Sequence, residues 1–269
     1  MATEVISARR ARYEEQGFCV VPGVLPEDVV RRGVEGMDAV RAGIYDTGRP
    51  PIDSPWKPGD DPGKLCKIEM PHLASRALFE VITHPAIGRL AAELTGARWV
   101  QVWWVQLLYK PPGGQGGTNV GWHQDKQYWK CWTPDSRLFT VWVALSDVTG
   151  QSGAVLFVPG SHRWGLIDEG DFYGQSLQEQ KESISRRTGC PWREVAATMP
   201  AGGVSVHDGL TYHGSGPNTS DGPRRSLAVH MRTEQSQVVA NVERIPLEHG
   251  RNLVQFLDDP VCNPVIYQA

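Results

Sequence analysis

The hydrophobic rhythm of the chain changes near residue 98. Before that point, apolar residues recur at helical spacing over residues 5–15 and 26–44, as amphipathic helices require. Between them lies GFCVVPGVLPED, which predicts a short strand at Phe18–Val21, a turn, and a second helix opened by Pro26. Residues 46–63 (DTGRPPIDSPWKPGDDPG) are rich in Pro, Gly and Asp and predict a long surface loop. Ser75–Thr83 and Pro85–Leu94 predict two short helices, with Ser75 capping the first and Gly96 ending the second.

Beyond residue 98 come short runs rich in Val, Trp, Leu and Phe: Arg98–Lys110, Arg137–Leu145, Ala154–Val158, Val204–Val206 and Arg224–Arg232. The turn sequences PPGGQGG, DVTGQSG, PGS, PAGG and PNTSDGP separate them. Connections of this length suit Greek-key or jelly-roll sheets better than tight hairpins. One polar stretch, Gln175–Thr188, is helical in character and predicts an excursion outside the barrel. Repeats and low-complexity tracts are absent. The expected fold is mainly β with flanking helices, a double-stranded β-helix (jelly roll, cupin-like). It is read as one domain spanning 1–269, with a helical part over about 1–97, a core over about 98–232 and a C-terminal extension over 233–269.

Composition narrows the classes. A net charge of -3 and a pI near 6.2 give no basic surface for nucleic acid. The longest apolar runs are too short to cross a bilayer, and the N-terminus lacks the apolar core of a signal peptide. Five scattered cysteines form no CxxC pair and fit a reducing cytoplasm. Of the ten tryptophans, Trp103, Trp104, Trp122, Trp129, Trp132 and Trp142 crowd one region, which predicts an aromatic-lined pocket for a small organic ligand.

That region also carries the candidate chemistry. In GWHQDKQYW, His123 and Asp125 are separated by one residue, so on a strand both would face one side. Alone, such a pair is usually a surface feature. A second imidazole from a distant strand would complete a set of two His and one carboxylate, which suits iron(II) because it leaves coordination positions open. His213, in LTYHGSGPN at the end of a predicted strand, is that candidate. Eleven residues later Arg224 opens the strand RRSLAVHMR, where a guanidinium can fork onto the distal carboxylate of 2-oxoglutarate. Ser226 alternates to the same face and could add a hydroxyl, whereas Arg225 faces the other way. His230 continues the inward row without an expected metal role, and His207 with Asp208, being adjacent, should point to opposite faces.

Together, His123-x-Asp125, VWVALSDVTGQSGAVLFVPGSHRWG, VSVHDGLTYHGSGPN and the Arg that follows resemble the phytanoyl-CoA dioxygenase family. The resemblance begins near residue 12, in YEEQGFCVVPGVL, and runs to about 232. It implies a jelly-roll fold, iron(II) on His123, Asp125 and His213, and consumption of 2-oxoglutarate and O2 with release of succinate and CO2. It also implies that Gln106, Trp142 and Lys67 lie beside the co-substrate. Related halogenases have a small residue at the position of Asp125, so a carboxylate there points to hydroxylation of a C–H bond. Desaturation, epoxidation, ring closure and epimerisation stay open. The substrate expected is a small organic molecule, a secondary metabolite or its precursor, held by Trp104, Tyr128 and Trp129 with Lys126 and Arg137 as polar anchors. No lysine-rich surface is present for the phosphates of a coenzyme A thioester. The glycine-rich stretch Pro111–Gly121 is placed to act as a lid. Two other readings stay open: a cupin-type metalloenzyme that does not use 2-oxoglutarate, and a jelly-roll binding module without catalysis.

Overall fold

Alternation along three long strands organises the molecule. In the computed structural model, which describes residues 2–52, 54–114, 117–240 and 253–269, these strands are β3 (Trp99–Lys110), β5 (Leu138–Ala144) and β10 (Arg224–Thr233). They lie side by side, with β10 antiparallel to both neighbours. Odd-numbered residues such as Val141, Val143, Leu227 and Val229 pack on one face against helices, and even-numbered ones such as Trp142, Ala144 and Ala228 pack on the other. Being buried on both sides, β5 carries no exposed residue at all, which is why it reads as a continuous apolar run.

A large sheet grows outward from this trio. Its order runs β1 (Phe18–Val21), β8 (Val204–Asp208), β5, β10, β3 and β11 (Val265–Gln268), with β2 (Cys66–Glu69) also pairing with β3. Four helices cover its outer face: α1 (Ala2–Gln16), α2 (Glu27–Arg41), α3 (Arg76–Thr83) and α4 (Pro85–Thr95). Ser75 caps α3 by accepting from the Leu78 amide, and α4 stops at Gly96 in the left-handed conformation, as predicted. Where α4 crosses β11 the backbones nearly touch, and a Cβ at Gly88 would collide with the Ile266 carbonyl oxygen.

Facing the inner side is a smaller sheet of β4 (Val120–His123), β9 (His213–Ser215), β6 (Leu156–Phe157) and β7 (Val195–Ala196). Phe18 and Phe157 stack across the gap with ring centroids 4.5 Å apart. The two curled sheets with helices outside form the expected double-stranded β-helix. The polar stretch forms α5 (Leu177–Thr188), which packs near β4. The extension contributes more than expected: α6 (Leu253–Leu257) and β11, the latter completing the large sheet. Residues 115 and 116 of the glycine-rich stretch, and 241–252 (which include His249), lie outside the described residues. Among the described residues no helix is long and apolar enough to cross a membrane.

Candidate active site

The small sheet positions two imidazoles by register. His123 ends β4 and His213 begins β9, and the two are cross-strand partners. This differs from the expectation that His213 closes a strand: β8 ends at Asp208, and a turn intervenes before β9. Each ring is aimed by a backbone carbonyl. His123 Nδ1 lies 2.8 Å from Gly121 O, and His213 Nδ1 lies 3.0 Å from Thr211 O. A donated Nδ1–H leaves each Nε2 with a lone pair, the form a metal needs.

Asp125 arrives differently from what strand geometry suggests. It opens a 3-10 turn (Asp125–Gln127) instead of continuing β4. The turn is built by buried Gln124, whose amide donates to Gly165 O and Leu210 O and accepts from the Ile167 amide. Close packing holds β4 in place, since a Cβ at Gly121 would strike the Asp171 carbonyl oxygen. The result brings Asp125 Oδ1 to 3.7 Å from His123 Nε2 and 3.8 Å from His213 Nε2. Its other oxygen, Oδ2, accepts from Thr140 Oγ1 at 2.7 Å and His207 Nε2 at 3.2 Å. Oδ2 is therefore occupied, and Oδ1 is left for a cation. Burial would raise the Asp125 carboxyl, but the polar groups facing it, His207 donating to Oδ2 among them, outweigh this and hold it well below the usual range. Burial, with His123 and His207 nearby, keeps His213 neutral. One ligand atom from each of His123, Asp125 and His213 lies within 4.8 Å of the others, the one such group among the described residues. Three buried donors without mutual hydrogen bonds fit a divalent metal.

Beside the triad opens a cavity of about 170 Å³ whose wall includes Arg224. Arg224 is 1% exposed, and its Nη1 donates to Gly153 O at 2.7 Å. Its guanidinium carbon sits 5.2 Å from the Trp142 ring, while Nε has no partner. No carboxylate of the described residues lies within ion-pair distance of it. Burial pushes its pKa down to about 9. A desolvated guanidinium without a carboxylate partner in a cavity wall is chemically suited to an anion.

Residues 13–226 match the phytanoyl-CoA dioxygenase (PhyH) family. The chain belongs to that family. Membership in the phytanoyl-CoA dioxygenase family makes it an iron(II)- and 2-oxoglutarate-dependent oxygenase, and the donor set above suits that metal. A probable alpha-ketoglutarate-dependent hypophosphite dioxygenase of Stutzerimonas stutzeri is 24% identical over 233 residues, covering 84% of this chain and 78% of the relative. An ectoine dioxygenase of Bordetella parapertussis is 27% identical over 228 residues, 80% of this chain and 71% of the relative. In fold the chain is similar to the alpha-ketoglutarate-dependent epimerase SnoN of nogalamycin biosynthesis. The TM-score is 0.71 at 21% identity, over 98% of this chain and 99% of that one.

Within this family member the remaining expectations divide. Gln106, Trp142, Lys67, Tyr128 and Trp129 all line the cavity. Lys67 is not a free cation, however, because its ammonium lies 2.8 Å from Glu69 Oε1. Burial works against that charge, but Glu69 outweighs it and raises the lysine's pKa. Four expected site residues are corrected. Ser226 faces inward, but its hydroxyl is spent on Leu108 O at 3.1 Å. Trp104 does not line the cavity, and its indole donates to Glu69 Oε2 at 2.7 Å. Lys126 caps the neighbouring turn by donating to Pro134 O and to Ser136 O. Arg137 lies on a separate cleft with Tyr13 and Asp208. Trp103 and Trp132 stand behind Trp129 as packing. As alternation requires, Arg225 points outward and pairs with Asp38 at 2.8 Å.

The residues that were not foreseen are Thr140, Glu69, Phe172 and Tyr173, together with a role for His207. Only the cross-strand register His207–Thr140–His230 could have revealed the first and last.

Proposed function

We propose that this oxygenase hydroxylates a C–H bond of a small, ring-bearing organic molecule of secondary metabolism. In this reading His123, Asp125 and His213 hold the iron, Arg224 receives the far carboxylate of 2-oxoglutarate, and succinate and CO2 are released. When bound, iron(II) with 2-oxoglutarate supplies the oxidising power that activates O2. The chain's own residues bind, orient and exclude water. Thr140 and His207 fix the Asp125 carboxylate, Trp142 backs the Arg224 guanidinium, and Tyr128, Trp129 and Phe172 make the cavity wall apolar. A full carboxylate at Asp125 occupies the position that a halide would need, which favours hydroxylation.

The single observation carrying the reading is Arg224, buried and unpaired in the same cavity as the triad. A metalloenzyme without a dicarboxylate co-substrate has no use for such a cation. Neither Lys67, paired with Glu69, nor Lys126, spent on backbone carbonyls, is free to hold the phosphates of a coenzyme A ester. Five unpaired cysteines suit a reducing compartment such as the cytoplasm. Anaerobic mixing of protein, iron(II) and 2-oxoglutarate should give a weak visible charge-transfer band. Bound iron without that band would refute the reading. Succinate release across a panel of ring-bearing metabolites, with mass spectrometry for one added oxygen, then identifies the substrate.

A further inference from the structure

The large sheet carries a row of three polar residues across neighbouring strands: His207 on β8, Thr140 on β5 and His230 on β10. All three are buried, and only His207 and Thr140 reach Asp125 by hydrogen bond. His230 bonds one step removed, its Nδ1 lying 2.8 Å from Thr140 Oγ1. Proton counting fixes that bond's direction. A threonine hydroxyl has one proton, and Thr140 gives it to Asp125 Oδ2, which as a carboxylate oxygen only accepts. Thr140 must therefore accept from His230, so Nδ1 carries the ring proton. A histidine with one ring proton then presents Nε2 as a bare acceptor.

No described residue donates to that Nε2. His230 is part of the cavity wall, and its Nε2 is not among the fully buried atoms left without a partner. Trp129, with its ring centroid 5.0 Å away, and Trp103, at 5.9 Å, flank the imidazole with apolar surface. An acceptor in such a setting is costly to leave unmatched. Its other nitrogen lies 3.9 Å from Asp125 Oδ2, so whatever binds Nε2 is one imidazole away from the metal ligands.

We propose that His230 accepts, through Nε2, a hydrogen bond from a hydroxyl or N–H group that the substrate carries next to the carbon being oxidised. The substrate class is thus ring-bearing alcohols, phenols or amides, not bare hydrocarbons or ethers. The assignment of that group as a substrate's rests on the oxygenase reading above, whereas the acceptor itself does not.

The test uses the full chain loaded with zinc(II) and 2-oxoglutarate, with nitrogen-15 in its histidine rings. Benzyl alcohol and benzyl methyl ether serve as probes, since they share a ring and differ in the O–H. His230 should show Nδ1 protonated and Nε2 bare, and the alcohol alone should move the Nε2 resonance. The alcohol should bind about five- to tenfold more tightly than the ether. In His230→Asn, which keeps a donor toward Thr140 but deletes Nε2, that ratio should fall to about one. A protonated Nε2, equal affinities in the wild type, or a preference that survives His230→Asn each overturn the proposal. The iron(II)–2-oxoglutarate band is read separately. A missing band with the alcohol preference intact sinks the oxygenase reading and leaves the acceptor standing. An intact band with no preference sinks only the role of His230.

Discussion

Replacing Arg224 by Met should stabilise the protein and cripple it at once. At pH 7, below both its free and its buried pKa, the Arg224 cation suffers the full penalty of desolvation. Moving a group from 12.5 to about 9 corresponds to roughly 5 kcal/mol at about 1.4 kcal/mol per pKa unit. Against this stand the hydrogen bond to Gly153 O and the stacking on Trp142, together worth about 2–3 kcal/mol. A methionine of similar length fills much of the space. The ligand-free variant should therefore gain about 1–3 kcal/mol, read as a higher denaturant midpoint. The opposite sign appears with 2-oxoglutarate. Loss of a bidentate, charge-assisted contact, leaving a carboxylate unpaired in a dry cavity, costs about 3–5 kcal/mol, or some two to four orders of magnitude in affinity. Calorimetric titration of 2-oxoglutarate into manganese(II)-loaded wild type and Arg224→Met measures it directly. Retention of affinity within about threefold would refute the clamp, and a destabilised ligand-free variant would refute the account of the penalty.

Three further outcomes are expected. Thr140→Val removes the donor that occupies Asp125 Oδ2, so metal affinity should fall about 10–100-fold, measured by competition with a chelating dye; an unchanged constant would deny Thr140 an orienting role. His72 is held at about 4 by burial against its ordinary 6.5, as is His230. Folded values lying below unfolded ones mean stability is complete above pH 6.5 and is lost as pH falls toward 4, by up to about 3 kcal/mol per residue; urea melts of metal-free His72→Phe should show a shallower acid limb than wild type. Gly88→Ala places a Cβ against the Ile266 carbonyl and should cost about 1–3 kcal/mol, with faster hydrogen exchange confined first to β11.

Where the chain is buried on both sides, its sequence is legible. β5, most of β3 and the Leu227–Val229 centre of β10 stand out as apolar runs because neither face meets water there. Arg224 and Arg225 could be told apart because a strand alternates, and the alternation held. β2 was missed because CKIE sets two charged residues, Lys67 and Glu69, on the face that turns into the site. β9 has three residues, too few to give a period. Asp125 was correctly paired with His123 for a reason that does not apply, since a 3-10 turn, not a strand, returns the carboxylate. Ser226, Trp104 and Lys126 were misplaced because direction along an element says nothing about which acceptor a polar tip finds first. Leu108 O, Glu69 and Ser136 O decide those three, and each partner is remote in sequence or hidden in a turn.

The division of labour between the two sheets has a mechanical consequence. The imidazoles His123 and His213 sit on short strands of the small sheet, while Arg224 and Thr140 sit on long strands of the large one. In the proposed reading, a metal on the imidazoles with its co-substrate reaching Arg224 would act as a rivet between two plates. The protein would then be stiffest when armed for chemistry, and slackening would begin in the small sheet, where few hydrogen bonds hold each strand.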